Sequence, residues 1–366
     1  MKAYRLHNWK SLGKLVDIPT PEPQAGQVLL KVAGNGLCQS DLHAMYEMEA
    51  SPPHLDVRLP MTLGHEIGGW IEALGPGVAG FDVGQPCLVT VAGCGQCRFC
   101  AEGWNNYCQN LPLQPGMGLD GGLADYVIVP VAGLVPIQSL EPWRAAPLTD
   151  AGLSSYHAVK RVLPLLTAGS TVVVIGVGGL GHMAVGTLKA ICPARVIAVD
   201  WSEQALALAK DFGANLCLPS DDTTLTEVQE RVRGGRVDAV LDFVGAGVTM
   251  TLAARLIRPL GQIVVVGRGH GFFEFKDRGL PYGAFMSTTF GGSKRELMEL
   301  ISLAEAGKIA PHVTRYPLSQ VENALEKLKR GEIAGRAVLV PDGHLGLEAP
   351  LWQGVEELQR STAGRN

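Results

Sequence analysis

The chain has 366 residues, with 31 Lys and Arg against 35 Asp and Glu, a formal net charge of −4 and 46 glycines. Its length exceeds one ordinary core and suits two domains. The slightly acidic balance offers no basic face to a nucleic acid, the apolar runs are too short to span a bilayer, and the glycine content speaks for a turn-rich globular protein rather than a coiled or disordered one.

The first ten residues, MKAYRLHNWK, are polar and show no export signal, so a cytoplasmic location is expected. Short β-branched runs between turns follow: VLLKVAGNGLC (28–38), GGWIEALG (68–75), QPCLVTVAG (85–93) and ADYVIVP (124–130). They predict an irregular, mostly β domain over residues 1–150. From about Asp150 the pattern changes. TVVVI (171–175), RVIAV (195–199), NLCLP (215–219), VDAVLDF (237–243) and QIVVVG (262–267) each precede helix-compatible sequence, and STTFGG (287–292) supplies a last strand. Continuous apolar runs suit parallel strands buried on both faces. Their alternation with helices predicts a doubly wound α/β domain over 151–290. Amphipathic helices are expected in SKRELMELISLAEAG and LSQVENALEKLKRG, then a strand in RAVLVP. Residues 342–366 read as a loosely ordered C-terminal extension.

Cys94, Cys97, Cys100 and Cys108 stand in CGQCRFCAEGWNNYC. Four thiolates close a tetrahedral zinc shell and leave no position for a reactant, so this zinc is expected to be structural. The other readings are two disulfides, which need an oxidising compartment, or a redox dithiol. Cys87, Cys192 and Cys217 read as small buried apolar residues.

Gly176, Gly178, Gly179, Leu180 and Gly181 belong to GVGGLG, directly after TVVVI and before a helix-compatible run. Strand, tight turn and helix form the dinucleotide fingerprint, with the pyrophosphate on the helix N-terminus. Asp200 follows Gly181 by 200 − 181 = 19 residues, where an acidic residue is expected to hold the ribose hydroxyls. Trp201, Ser202 and Glu203 supply no cation for a 2′-phosphate, so NAD is expected over NADP.

Three further islands carry chemistry: GLCQSDLH (36–43), GHEIGG (64–69) and TDAGLSSYHA (149–158). Cys38, His65 and Asp150 have the donor types of an open zinc site. Each also reads as an ordinary residue: core cysteine, structural histidine, helix cap. No spacing argument joins them.

Taken together, these motifs resemble the zinc-dependent medium-chain alcohol dehydrogenases over about residues 1–341, in the family's order. The resemblance to bacterial NAD-dependent secondary-alcohol dehydrogenases is close around PLTDAGLSSYHAVKRVLPLL. It implies a GroES-like catalytic domain (1–150 and 291–341) around an inserted Rossmann domain (151–290). It implies catalytic zinc on Cys38, His65 and Asp150, with Glu66 as the nearby second carboxylate and Asp41 orienting the ligand histidine. Two zinc ions per chain and NAD are therefore the expected cofactors. Ser40 and His43 match a proton relay, Ser154 a residue packed on the nicotinamide, and Arg336 a pyrophosphate-binding arginine. Gln39 departs from the family, where many relatives carry His or Arg near the pyrophosphate. The implied reaction is reversible hydride transfer between an alcohol, secondary or bulky primary, and NAD⁺, giving a ketone or aldehyde. Family precedent gives a homodimer or homotetramer. The alternatives are a polyol or sugar-alcohol dehydrogenase of the same superfamily and a non-catalytic zinc-stabilised binding protein. Leu119, Tyr282, Phe285, Met286 and Phe290 read equally as substrate-pocket or core residues.

Overall fold

The computed structural model describes residues 1–51 and 56–344, so residues 345–366 of the expected extension lie outside the described residues. The chain forms two compact units, one of Met1–Asp150 with the residues from Gly292 onward, the other of Ala151–Gly291.

The first unit is built on a mostly antiparallel sheet. Its strands run in the order Leu134–Pro136, Pro86–Val89, Glu66–Leu74, Gln27–Gly36, Arg336–Val340 and Val313–Pro317. Tyr126–Pro130 also pairs with Gln27–Gly36. Strands from early and late in the sequence thus share one sheet. Gly36 lies opposite Glu66 on one side and Val338 on the other. Val28, Leu30 and Val32 alternate along the strand and close a core with Ile67, Ile71 and Val129, while Leu29 and Ala33 on the alternate positions are buried as well. The helix Gln39–Tyr46 leaves the end of the long strand directly. Its Leu42 and Met45 pack with Tyr4, Leu6, Leu325 and Leu339 in a second cluster.

The second unit carries a six-stranded parallel sheet in the order Leu216–Pro219, Arg195–Asp200, Thr171–Ile175, Val237–Asp242, Ile257–Val265 and Phe285–Thr288. This is the strand order 3-2-1-4-5-6 of a Rossmann fold. TVVVI shows why an unbroken apolar run is a strand here: Val172 and Val174 enter one core, Val173 and Ile175 the other. Two expected strands have different limits. The run expected at 262–267 begins at Ile257, because a register shift between Val237 and Ala239 of its neighbour absorbs Pro259 and Gly261. The edge strand is Phe285–Thr288 rather than 287–292. Among the described residues no helix is long and apolar enough to cross a membrane.

Candidate metal and coenzyme sites

Cys38, His65 and Asp150 arrive from three separate elements of the first unit. Cys38 stands two residues beyond the long strand, as the N-cap of helix Gln39–Tyr46. His65 precedes strand Glu66–Leu74, after Gly64, whose φ of +96° makes the turn. Asp150 closes the 3₁₀ turn Ala146–Thr149. Their ligand atoms lie within 4.8 Å of one another. Cys38 Sγ is 3.3 Å from Asp150 Oδ2, and His65 Nε2 is 3.7 Å from the same oxygen. A tetrahedral zinc with ordinary bond lengths has S···O and N···O edges of about 3.6 and 3.4 Å. The donor set therefore fits zinc: one thiolate and one carboxylate balance the dication, and the imidazole completes three protein ligands.

The surroundings favour a positive charge at this point. Burial pushes the His65 imidazolium down, but Asp41, Asp150 and Cys38 outweigh it and hold its pKa well above the usual value. Burial pushes Asp150 up, yet His65, Arg336 and Cys38 bring its carboxyl below the ordinary range. Asp41 is buried; its Oδ2 accepts the Cys38 N–H at 2.9 Å, and its Oδ1 stands 3.6 Å from His65 Nδ1. One carboxylate thus steadies two of the three candidate ligands, a common arrangement behind metal-bound histidines.

Glu66 is fully buried, and Arg336 donates from Nη2 to its Oε1. Burial pushes the Glu66 carboxyl up to about 8, against the pull of Arg336. Glu66 Oε2 and Arg336 Nε lack partners among the described residues. Gly36 opposite leaves room for Glu66, since a Cβ there would collide with Oε2. Arg336, expected on a pyrophosphate, is here the buried counter-ion of Glu66, with the Cys38 sulfur as a further partner. Ser40 Oγ lies 3.1 Å from Cys38 Sγ and 3.3 Å from His65 Nε2. His43, one helical turn on, is half-exposed, and its Nδ1 meets Glu47 Oε2 at 2.7 Å. The sequence reading missed Glu47; the signal was the i,i+4 spacing on one helix. Gln39 is exposed in the first turn of that helix.

The four-cysteine set is separate. All four sulfurs lie within 4.8 Å of one another, and the described cysteines form no disulfides. Cys97 Sγ is 3.8 Å from Cys108 Sγ, which matches the S···S edge of a zinc tetrahedron, about 3.8 Å, and not a disulfide bond of about 2.05 Å. Backbone N–H groups already serve these sulfurs: Cys94 N–H donates to Cys108 Sγ at 3.2 Å and Cys97 N–H to Cys94 Sγ at 3.3 Å. Such donors, those of Cys100 and Gln109 first, bring Cys97 down to about 6, whereas burial pushes Cys87 up to about 12.

In the second unit, GVGGLG links strand Thr171–Ile175 to helix Gly181–Ile191. Gly176 has φ +80°, and a side chain at Gly181 would strike the Gly176 carbonyl. A Cβ on Gly178 would meet no protein atom within 4 Å, so that face is open to a ligand. Asp200 ends the neighbouring strand, buried; its Oδ2 accepts the Val177 N–H at 2.7 Å and its Oδ1 the Ser202 N–H at 2.9 Å. Ser220 N–H donates to the Asp200 carbonyl, and beside it opens a cavity of about 600 Å³ lined by Ser220, Leu225, Val248, Thr249 and Arg255. Ser154 is buried on helix Ala151–Val162. Of the pocket candidates, Met286 packs into the core of this unit, while Tyr282 is 76% exposed.

Residues 24–139 match the alcohol dehydrogenase GroES-like domain and residues 179–306 the zinc-binding dehydrogenase domain. An NAD-dependent alcohol dehydrogenase of Sulfurisphaera tokodaii is 35% identical, over 93% of this chain and 100% of the relative. A D-arabinose 1-dehydrogenase (NADP(+)) of Saccharolobus solfataricus is 30% identical, over 93% of this chain and 97% of the relative. The crystal structure of the alcohol dehydrogenase from Aeropyrum pernix superposes with a TM-score of 0.86 at 34% identity, covering 93% of this chain and 100% of that one.

Proposed function

The chain belongs to the zinc-dependent medium-chain alcohol dehydrogenases, and from that premise we propose that it transfers hydride reversibly between an alcohol and NAD⁺, giving a ketone or aldehyde. The observation that carries this reading is the convergence of the Cys38, His65 and Asp150 ligand atoms within 4.8 Å of one another at a partly buried point. Zinc held by these three would supply the Lewis acidity that an alcohol needs to lose its proton near neutral pH. Ser40 Oγ, beside two of the ligand atoms, is placed to accept that proton, and half-exposed His43 to pass it to water. Glu47 holds the imidazole through Nδ1. Asp41 keeps His65 in orientation, and Arg336 offsets the Glu66 charge beside the ligands.

A second zinc on Cys94, Cys97, Cys100 and Cys108 has no chemical role and stabilises its loop, giving two ions per chain. Loop 176–181 binds the coenzyme pyrophosphate, with Gln39 beside it at the position where many relatives carry His or Arg, and Ser154 packs against the nicotinamide; Arg336 stays with Glu66. Asp200 accepts the adenosine ribose hydroxyls and disfavours a 2′-phosphate. The catalytic domain is assigned to 1–150 with 291–341 and the coenzyme domain to 151–290. The protein is cytoplasmic and a homodimer or homotetramer.

A polyol or sugar substrate is the second reading, supported by the D-arabinose dehydrogenase relative. NADH formation with a panel of secondary alcohols, bulky primary alcohols, polyols and aldoses is the test. Turnover of simple alcohols is expected; oxidation of polyols or aldoses alone would overturn the preference, and no turnover of any panel member would overturn the activity.

A further inference from the structure

The coenzyme loop is held from behind by two side chains outside the fingerprint itself. Ser155, on helix Ala151–Val162, donates from Oγ to the Leu180 carbonyl at 2.7 Å. His182, the residue after the last glycine, meets the Gly178 carbonyl through Nδ1 at 2.8 Å. Both residues are 0% exposed. A carbonyl only accepts, so His182 Nδ1 carries the proton. The ring is held edge-on against Phe212, with centroids 5.0 Å apart. Each of these carbonyls also takes the helical N–H four residues on: His182 N–H at Gly178 and Ala184 N–H at Leu180, both 3.2 Å.

In a trans peptide the C=O and the following N–H point in opposite directions. Fixing the Gly178 carbonyl therefore fixes the Gly179 N–H, and fixing the Leu180 carbonyl fixes the Gly181 N–H. These are the groups at the helix N-terminus that face an anion. Asp200 fixes a third point by accepting the Val177 N–H. The helical bonds alone would form the turn; the side-chain donors remove its remaining freedom to rotate a peptide away from the phosphates.

We propose that Ser155 and His182 are positioning residues for the coenzyme: they aim the backbone N–H groups of GVGGLG at the dinucleotide pyrophosphate and so set its affinity. This rests on the coenzyme reading given above. Neither residue touches the reacting atoms, so the hydride step at saturation is left alone.

The test is fluorescence titration with NADH, and competition by ADP-ribose, on the full-length protein. Ser155→Ala and His182→Phe are expected to weaken both ligands by about 3- to 10-fold, the value of one hydrogen bond. KM for NAD⁺ should rise by a similar factor with kcat within about twofold. Ser155→Thr and His182→Asn, which keep a donor, should restore most of the affinity. Loss of folded protein or of kcat with unchanged NADH affinity in the remaining fold would mean a merely structural role and overturn the proposal. So would weakened NADH with unchanged ADP-ribose, which would put the effect at the nicotinamide rather than the pyrophosphate. Failure of the wild type itself to bind NADH would overturn the coenzyme reading and this proposal with it.

Discussion

The two candidate metal centres of the first unit are built in opposite ways. Cys94, Cys97, Cys100 and Cys108 come from one short loop, are partly exposed, and have sulfurs already bonded by neighbouring backbone N–H groups. Cys38 and Asp150 are 112 residues apart and meet inside the fold, with a histidine from a third element. On the reading proposed above, a metal in the loop set would support that loop and nothing beyond it. The buried set is shaped by the sheet, by the helix cap at Cys38 and by Asp41, before any metal binds. A centre that supports structure can be local and closed; a centre that works on a reactant has to be positioned by the rest of the protein and keep one side open.

Breaking the buried set should have the larger effect on activity. Asp150→Ala is expected to lower kcat/KM about a thousandfold or more, since several kcal/mol of charge stabilisation are lost, while NADH binding persists. If Asp150 only caps the helix, the variant would instead lose about 0.5–2 kcal/mol of stability and keep most of its rate. Steady-state kinetics with thermal melting separates the two. His43→Gln should slow alcohol oxidation about 10²-fold near pH 7, the usual size of a general-base effect, and less at high pH, where hydroxide takes the proton. A pH–rate profile like that of the wild type would remove His43 from the relay. Asp41→Ala should cost about 10- to 100-fold in activity or zinc affinity, the range seen when the partner of a metal-bound histidine is removed.

The loop set should answer to stability instead. Cys100→Ser opens a closure that spans Cys94 to Cys108. A cross-link over about 15 residues is worth on the order of 3 kcal/mol, so Tm should fall by about 5–10 °C, with kcat of the folded fraction changed less than threefold. Differential scanning calorimetry with active-site titration reads both quantities. The smallest effect is chemical. In protein stripped of metal by a chelator, Cys97, its pKa brought down to about 6, is largely thiolate at pH 7 and should be alkylated early. Cys87, pushed up to about 12, stays a thiol and should remain unmarked. Peptide mapping after a short iodoacetamide pulse distinguishes them; early labelling of Cys87 would contradict its burial.

The same contrast explains what the sequence made legible. Four cysteines within one loop and six glycine-loop residues between a strand and a helix carry their spacing on the surface of the sequence. The strands TVVVI and RVIAV are equally plain, because an apolar run buried on both faces has one physical reading. Cys38, His65 and Asp150 have no such spacing. What joins them is sheet register, with Gly36 opposite Glu66, and a 3₁₀ turn that ends at Asp150; only the family resemblance put them together beforehand. The Glu66–Arg336 pair, 270 residues apart, was invisible for the same reason. Ser155 was not singled out, because its bond to the Leu180 carbonyl depends on how its helix packs on the glycine loop, which local sequence does not record.

The most direct test of two centres with two separate jobs is a zinc count by mass spectrometry on three proteins, read beside activity and Tm. The account predicts two zinc ions per chain in the wild type and one each in Asp150→Ala and Cys100→Ser, with activity lost in the first variant and Tm lowered in the second. A fully active wild type with one zinc, or an Asp150→Ala protein that keeps both ions, would contradict it.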